Sequence, residues 1–235
     1  MIPIKTESAW KGTSDCRDCG IRELALFGDL QEQDFNLIHS PIDDLEFAPA
    51  ALLQSRGDKV GHVLTLRVGM VKLVRNSVDG RARIVRILRP GDVIGLEVLA
   101  SGQVDNDAIA LSSVKVCRIP VAVVNRLNEQ TPRVHQRLLG AWHKSLKEAD
   151  DWLADLNFGT ARQRVGNLVL KMRTSADADL VTLFSREDMG AMMDLQLETV
   201  SRTISAFVRE GLIEPLDKQG RVYKVCNAAA LQEPN

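Results

Sequence analysis

The sequence predicts an α+β chain made of a roll of short strands, one long helix, and a winged helix-turn-helix at the C-terminal end. Three observations support this prediction. Between about Leu30 and Ile119, short runs of alternating residues are separated by glycine-containing turns. From Thr131 the apolar residues recur every three or four positions, as in a helix. After residue 157 come two short helical patterns and a hairpin signal.

Bulk composition limits the class of protein. The 235 residues are 45% hydrophobic, which suffices for one large or two ordinary domains. No apolar run approaches the roughly 18–20 residues of a membrane span, and the N-terminal residues lack the apolar core of a signal peptide. Four cysteines do not indicate a disulfide scaffold at this length. We therefore expect a cytoplasmic protein without membrane association.

The strand-rich part carries clear turn signals. Residues 62–68 and 70–75 alternate between apolar and polar on either side of Gly69. The pair Asp79-Gly80 is a strong hairpin signal before residues 81–88. Regular short strands with such turns predict a compact β-barrel or roll.

The long helix carries an a/d seam, in which spacings of three and four alternate. The seam consists of Leu139, Trp142, Leu146, Ala149, Leu153 and Leu156. Leu138 and Trp152 widen the apolar surface, which fits a helix packed both on its own roll and on a second copy of the chain. A helix buried wholly within one chain is the alternative. Because Ala149 leaves the seam uniformly apolar, we expect a homodimer even without a cofactor.

A hinge is predicted after this helix. Asn157-Phe-Gly159 ends the helical pattern, and Thr160 with Gln163 predicts a capping box for a new helix. We expect four parts, namely a cysteine-containing segment at 1–29, the roll at 30–130, the dimerisation helix at 131–156, and a winged helix-turn-helix at 157–235.

Residues 184–213 read as two helices joined by a tight turn at Asp194-Leu-Gln196. Ser185, with Asp188 three residues later, is a capping-box-like start. Gly190 is expected to leave room for a close helix crossing. The core face of the first helix is predicted to consist of Met189, Met192 and Met193.

The second helix has one apolar stripe, formed by Val200, Ile204, Phe207 and Val208. Its other face carries Glu198, Ser201, Arg202 and Ser205. Arginine can bond guanine, glutamate can accept from the cytosine amino group, and serine can bond a base or a phosphate. An ordinary amphipathic helix with a solvated polar face is the alternative. The hairpin predicted around Asp217-Lys-Gln-Gly220 favours DNA binding, with Glu198, Ser201 and Arg202 at the base edges.

Charge alone does not indicate a nucleic-acid partner. The formal net charge is −1, and from Asn157 onward ten Lys and Arg face ten Asp and Glu. Any cations that contact phosphates must therefore be arranged locally. Our candidates for DNA-backbone contacts are Ser185, Arg186, Thr199, Ser205, Arg209, Lys218 and Arg221.

These elements, in this order, resemble the CRP/FNR family of bacterial transcription regulators. The residues that carry the resemblance are Gly69, Asp79-Gly80, Pro90-Gly-Asp-Val-Ile-Gly95, Val116-Cys-Arg-Ile-Pro120 and Glu198-Thr-Val-Ser-Arg202. The resemblance implies a roll of the cyclic-nucleotide-binding type and a non-enzymatic activator. It also implies two partners, promoter DNA and RNA polymerase, with residues 76–80 as the polymerase-facing loop.

Within the family, Glu198-x-x-Ser201-Arg202 resembles the FNR-type reading helix. The cAMP-receptor type would carry Arg at position 197 and Gly at position 201, where this chain has Leu197 and Ser201. The resemblance therefore implies a palindrome of TTGAT-like half-sites.

The resemblance also suggests two kinds of ligand. A cyclic-nucleotide pocket needs an Arg and a Ser for the phosphate, and those positions fall on Asn106 and Asp107. Asp105 and Asp107 would repel a phosphate, and Glu97 is one place off the ribose-binding acid. We therefore expect that cAMP is not the ligand.

The FNR branch holds an iron–sulfur cluster through four cysteines. Cys16, Cys19 and Cys117 match three of these positions, and Ala25 stands at the fourth. A cluster with a carboxylate or exogenous fourth ligand, a thiol–disulfide switch at Cys16-x-x-Cys19, and a segment without any cofactor all remain open. Cys226 is expected only to pack.

Three functions other than transcription regulation find less support in the residues. A cupin-like metal oxygenase would need several histidines and carboxylates in the barrel, yet only His62 lies among the strands. A module that responds to a cyclic nucleotide or another small ligand would lack the phosphate-binding Arg. A haem-based gas sensor would need an axial ligand such as His135 or His143.

Overall fold

The computed structural model describes residues 20–21, 23–38, 40, 42–78, 80–173 and 179–233. The chain divides into two compact units. The first comprises Met1–Arg75 and Val85–Lys147, and the second comprises Asn76–Ile84 and Glu148–Asn235. Among the described residues, no helix combines the length and the apolar character that a bilayer crossing requires.

The predicted roll is confirmed. Its strands among the described residues are β1 Asp43–Phe47, β2 Leu52–Gln54, β3 His62–Val68, β4 Val71–Asn76, β5 Ala82–Leu88, β6 Val93–Ile94, β7 Asp107–Ala110 and β8 Val114–Pro120. They form two four-stranded sheets with orders β1-β8-β3-β6 and β2-β7-β4-β5. Gly69 has a φ of 89°, and a Cβ there would lie 2.2 Å from the carbonyl oxygen of Ser113. Only glycine therefore fits between β3 and β4.

Strand alternation in β3 separates two hydrophobic cores. Leu64 and Leu66 pack between the sheets, whereas Val63 packs with α2 (Val121–Gln130) and the 3₁₀ helix Glu32–Leu37. A short helix, α1, spans Val98–Ser101. Helix α2 was not predicted from the sequence, and its side chains Val123, Val124 and Leu127 are fully buried.

Helix α3 spans Pro132–Asn157. Val134 and Leu138 lie in the same core as Val63. Leu138 thus packs within its own chain, as expected for a helix seated on its own roll. One face of α3 is therefore covered by its own chain.

The second unit holds the predicted winged helix-turn-helix. Its elements are α4 Ala161–Lys171, β9 Leu180–Thr182, α5 Arg186–Met193, α6 Leu197–Arg209, β10 Ile213–Pro215, β11 Val222–Val225 and a 3₁₀ helix Ala230–Gln232. The strands form one antiparallel sheet of order β10-β11-β9. The capping box of Thr160 and Gln163 is confirmed. Gly166 packs so closely on the last 3₁₀ helix that a Cβ would lie 1.9 Å from the carbonyl oxygen of Leu231.

Candidate nucleic-acid interface

Helix α5 begins as the sequence indicates. The Ser185 hydroxyl accepts from the N–H of Asp188 at 3.0 Å, and the three methionines of α5 are buried. The role predicted for Gly190 is wrong. A Cβ there would lie 2.5 Å from the carbonyl oxygen of Leu195 in the turn, so this glycine admits the turn backbone rather than a crossing helix. Asp194 starts that turn in the left-handed region, with a φ of 54°.

Helix α6 separates its two faces sharply. Val200, Ile204 and Phe207 are buried, and Val208 is half-buried. Glu198 and Arg202 are exposed one turn apart, and Ser201 beside them is half-buried. Positions separated by three or four residues share a helix face, so Ser205 and Arg209 continue the same stripe. The structure thus brings the three predicted base-reading residues together on one accessible face.

Two arginines of α4, which the sequence analysis did not single out, fix the helix-turn-helix. Arg162 binds both carboxylate oxygens of Glu210, just beyond α6, and its Cζ lies 4.8 Å from the ring centroid of Phe207. The hydrogen bond from Arg162 lowers the pKa of Glu210. Arg164 donates to the carbonyl oxygen of Met193 at 2.8 Å, at the C-terminus of α5. Helix α5 and the end of α6 are therefore both bonded to α4.

The hairpin of β10 and β11 forms the wing. The Asp217 carboxylate accepts from the N–H groups of Arg221 at 2.8 Å and Val222 at 3.0 Å, which orders the turn. These backbone hydrogen bonds, led by that of Val222, lower the pKa of Asp217.

Arg186 is committed to the wing. Its Nη2 donates to the hydroxyl of the buried Tyr223 at 2.7 Å and to the carbonyl oxygen of Gly220 at 3.2 Å. These bonds position the wing against α5 and occupy Nη2, so the phosphate contact expected for Arg186 stays a prediction and is left out of the set proposed below.

Positive and negative charges balance in number from Asn157 onward, but the positive charges are distributed unevenly. Five cations already bond within the second unit, namely Arg162, Arg164, Lys171, Arg173 and Arg186. Among the described residues, the other five take part in no ion pair and lie on α6 and the wing, namely Arg202, Arg209, Lys218, Arg221 and Lys224. Cations that are not held in an ion pair or in a bond to another part of the protein are the better candidates for contacts with phosphates.

A further contact in the second unit involves Arg83 of β5. Its Nη1 lies 3.5 Å from a carboxylate oxygen of Asp194, and its Nη2 donates to the side chain of Asn157. Arg83 thus links the turn of the helix-turn-helix to the end of α3. Nothing in the spacing of these three residues signals this contact.

The seam of α3 is exposed in the single chain. Leu139, Trp142, Leu146 and Leu153 retain 40–64% exposure, and Ala149 is exposed. The alternative of a helix buried wholly in one chain is therefore wrong for this face. Leu156, in contrast, is 1% exposed and packs within its own chain, so we remove it from the set expected to meet a partner.

The loop that would hold a phosphate in the roll is bonded to its own side chains. Asp107 accepts from the N–H of Arg56 at 2.8 Å, and Glu97 accepts from the N–H of Asp105 at 3.1 Å. Asn106 accepts from the guanidinium of Arg75 at 3.1 Å. The Arg56 N–H and the Arg75 guanidinium thus bond oxygens of the protein, and Asp105 and Asp107 are carboxylates, so these residues do not fit a phosphate.

Cys117, the described member of the three cysteines that match cluster ligands, makes a hydrogen bond that a metal ligand would have to give up. Cys117 donates to a carboxylate oxygen of Asp44 at 3.4 Å, whose other oxygen pairs with Arg67 at 2.8 Å. A thiol that donates to a carboxylate carries its proton, whereas a sulfur that binds metal is a thiolate. Cys16 and Cys19 lie outside the described residues. Cys226 is exposed on the strand end, so the expectation that it packs is wrong.

The described histidines give no metal-binding arrangement. His135 bonds the side chain of Asn128 at 3.0 Å. His62 is half-buried in β3, where burial, and secondarily Arg118, lowers its pKa. Within the described ranges, no group of three His, Cys, Asp or Glu side chains comes together as a metal site.

Comparison with known proteins agrees with this geometry. The cyclic nucleotide-binding domain family matches residues 44–131, and the Crp-like helix-turn-helix domain family matches residues 163–233. The transcriptional activator protein FnrL of Cereibacter sphaeroides is 28% identical over 84% of this chain and 83% of its own length. The anaerobic regulatory protein of Haemophilus influenzae is 26% identical over 84% of this chain and 80% of its own.

Solved structures share the fold. The structure of FixK2 from Bradyrhizobium japonicum matches with a TM-score of 0.73, at 24% identity over 82% of this chain and 96% of that one. TTHB099, a CRP family regulator from Thermus thermophilus, matches with a TM-score of 0.66 and 23% identity over 80% of this chain and 94% of that one. With the two matched domains in order along the chain, this protein belongs to the CRP/FNR family of DNA-binding transcription regulators.

Proposed function

We propose that this protein is a homodimeric regulator that binds a palindrome of TTGAT-like half-sites. Glu198, Ser201 and Arg202 contact base edges in the major groove. The backbone contacts come from Ser185, Thr199, Ser205, Arg209, Lys218 and Arg221. The observation that carries the proposal is the polar stripe on α6, flanked by cations that form no ion pair among the described residues.

The exposed seam of α3 supports the dimer. Five apolar side chains on one face at a/d spacing are what a second, identical helix covers in a coiled coil. Two-fold symmetry then presents two reading helices to half-sites about one turn of DNA apart. The same symmetry explains why a palindrome is the expected target.

The output is activation at a promoter, with RNA polymerase as the second macromolecular partner. The relatives named as a transcriptional activator and an anaerobic regulatory protein support this part of the proposal. Residues 76–80 are the candidate surface for polymerase, by analogy within the family. Neither a cyclic nucleotide nor a cluster bound by Cys117 is required for DNA binding.

Fluorescence anisotropy tests the base-reading residues. We expect the wild-type protein to prefer a TTGAT palindrome over a scrambled duplex of equal composition. The double variant Glu198→Gln, Arg202→Ala should lose about a hundredfold of this preference, since each good contact to a base is worth about 1–3 kcal/mol. The variant Glu129→Gln, Arg126→Ala changes exposed residues of α2 in the same way and serves as the control. Equal preference in both variants would contradict the proposal.

A second experiment addresses the cofactor. The protein is purified without oxygen, and its visible spectrum, iron and sulfide are measured before the anisotropy titration is repeated in air. We expect a featureless visible spectrum and unchanged binding. A visible absorption band that bleaches in air together with loss of binding would show that a cluster or haem controls the protein.

A further inference from the structure

Side-chain bonds cross the segment that the sequence predicts as a hinge, residues 157–160. This segment joins α3 to α4, and the second unit includes both α4 and the part of α3 from Glu148 onward. Asp155 lies in the last turn of α3. Its carboxylate pairs with Lys171 of α4 at 2.6 Å, and its carbonyl oxygen accepts from the side chain of Asn167 of α4 at 2.9 Å. Two side chains of α4 thus bond one residue of α3.

The bond to the Asp155 carbonyl oxygen also completes the end of α3. The last four carbonyl groups of an α-helix have no partner within the helix, and Asn167 supplies a donor to one of them. The next residue, Leu156, is 1% exposed. Polar bonds and apolar burial therefore act together at the point where α3 meets α4.

A second set of bonds reaches the same end of α3. Arg83 donates to the side chain of Asn157, the last residue of α3, and lies 3.5 Å from a carboxylate oxygen of Asp194 in the turn before α6. A chain that swivels freely at residues 157–160 would not keep these contacts. We call this set of bonded residues the brace, namely Arg83, Asp155, Asn157, Asn167, Lys171 and Asp194.

The brace fixes where α6 lies relative to the end of the seam. Ala149 and Leu153 of the seam belong to the same unit as α6. In a two-fold dimer the seam lies along the symmetry axis, so the position of α6 relative to the seam sets the separation of the two reading helices. The half-sites of an operator match that separation. One additional base pair moves a half-site by about 3.4 Å and turns it by about 35° around the DNA axis.

We propose that the brace selects the number of base pairs between the two half-sites, with Asp155 and Arg83 as positioning residues. This inference rests on the proposed function. Glu198, Ser201 and Arg202 select the sequence within a half-site, whereas the brace selects the distance between half-sites. The two kinds of specificity are therefore separable by mutation.

The test measures affinity for palindromes that differ only in the number of base pairs between their half-sites. By anisotropy, the wild type should bind one spacer about tenfold more tightly than spacers one base pair shorter or longer, because a wrong spacing must be met by deforming the DNA. The double variant Asn167→Ala, Lys171→Ala removes both α4 partners of Asp155. Its spacer ratio should fall to about threefold, since both half-sites can then be engaged at more than one separation. Its preference for the palindrome over scrambled DNA should stay at the wild-type value.

Charge reversal separates the ion pair from other effects of mutation. Asp155→Lys places two cations together and should lose the spacer preference, whereas Asp155→Lys, Lys171→Asp restores opposite charges and should regain it. Arg173→Ala is the matched control, since it removes a different ion pair of the same unit, with Asp179. The Asp155 side chain is 47% exposed, so water screens its pair and we expect these variants to fold, which circular dichroism verifies.

The outcomes separate this inference from the proposed function. A merely structural role would weaken binding to every spacer by the same factor. If the variants keep the wild-type spacer ratio, if the reversed pair fails to restore it, or if the wild type binds all spacers alike, the role of the brace is refuted while palindrome binding stands. If the wild type does not distinguish the palindrome from scrambled DNA, the proposed function and this inference fall together.

Discussion

The loop of the roll around Asp105–Asp107 differs from the reading face of α6 and the wing in how its polar groups are bonded. In the roll loop, carboxylate and amide oxygens accept from backbone N–H groups and from a guanidinium of the same unit. On α6 and the wing, five cations form no ion pair in the part of the chain that the structure describes. The polar groups of the roll loop bond within the protein, whereas those of the reading face are available to a partner.

The contrast bears on what this chain keeps of the family's fold. Its roll has the two sheets, while Asn106 and Asp107, at the positions expected for a phosphate-binding pair, bond other groups of the protein. The DNA-reading unit shows the reverse, since Arg162, Lys171 and Arg173 form ion pairs whereas the cations of α6 and the wing form none among the described residues. Four predictions test this contrast.

The largest effect is expected at the seam of α3. The variant Ala149→Glu places charges opposite each other in a dimer, so we expect a monomer in sedimentation velocity and at least a hundredfold weaker binding to the palindrome. Ala154→Glu introduces the same charge on α3 outside the seam and should remain dimeric. If both variants sediment alike, the seam is not the interface.

A smaller effect distinguishes Arg186, which is bonded to the wing, from Lys218, which is expected to contact DNA. Arg186→Ala removes the bond to Tyr223 and should lower the free energy of unfolding by about 2 kcal/mol in urea, because the hydroxyl is left buried. Lys218→Ala should leave stability unchanged. It should instead reduce by about one the slope of log affinity against log salt. Reversed results would show that Arg186 faces DNA.

The roll loop provides the third prediction. Asp107→Ala leaves the Arg56 N–H without its acceptor and should cost about 1 kcal/mol of unfolding free energy. Calorimetry of the wild type with cAMP should show no saturable heat. Saturable binding that shifts the DNA affinity would break the contrast between the two regions.

The smallest effect concerns the wing turn at acid pH. Because hydrogen bonds from Val222 and Arg221 lower the pKa of Asp217 below its usual 3.8, the turn is stabilised above that pH. The stabilisation is lost as the pH falls through the lowered pKa. Amide exchange of Arg221 and Val222 should therefore rise with acid more than that of β9. In Asp217→Asn, exchange at these two amides should lack this additional rise.

The sequence predicted those elements whose own pattern is strong. Helix α6 was predictable because Val200, Ile204 and Phe207 repeat at helical spacing, and the wing turn was predictable from Asp217 and Gly220. Strand β9 was missed because its three residues form a strand only by pairing with the distant β11.

Other features depend on positions that periodicity does not encode. Leu153 and Leu156 belong to the same a/d pattern, yet only Leu156 is covered by its own chain. Gly190 was assigned to the wrong neighbour because the approaching group is a backbone carbonyl, which leaves no trace in side-chain spacing. Arg83, Asn157 and Asp194 come together only in three dimensions.

Because the apolar stripe on α3 is exposed in the single chain, the concentration of the protein in the cell can itself control how much of it is active. If regulation requires two copies, the amount of active species at low concentration rises with the square of the number of chains, so doubling synthesis raises promoter occupancy up to fourfold. Expression level and proteolysis would then tune the response steeply, without any small molecule.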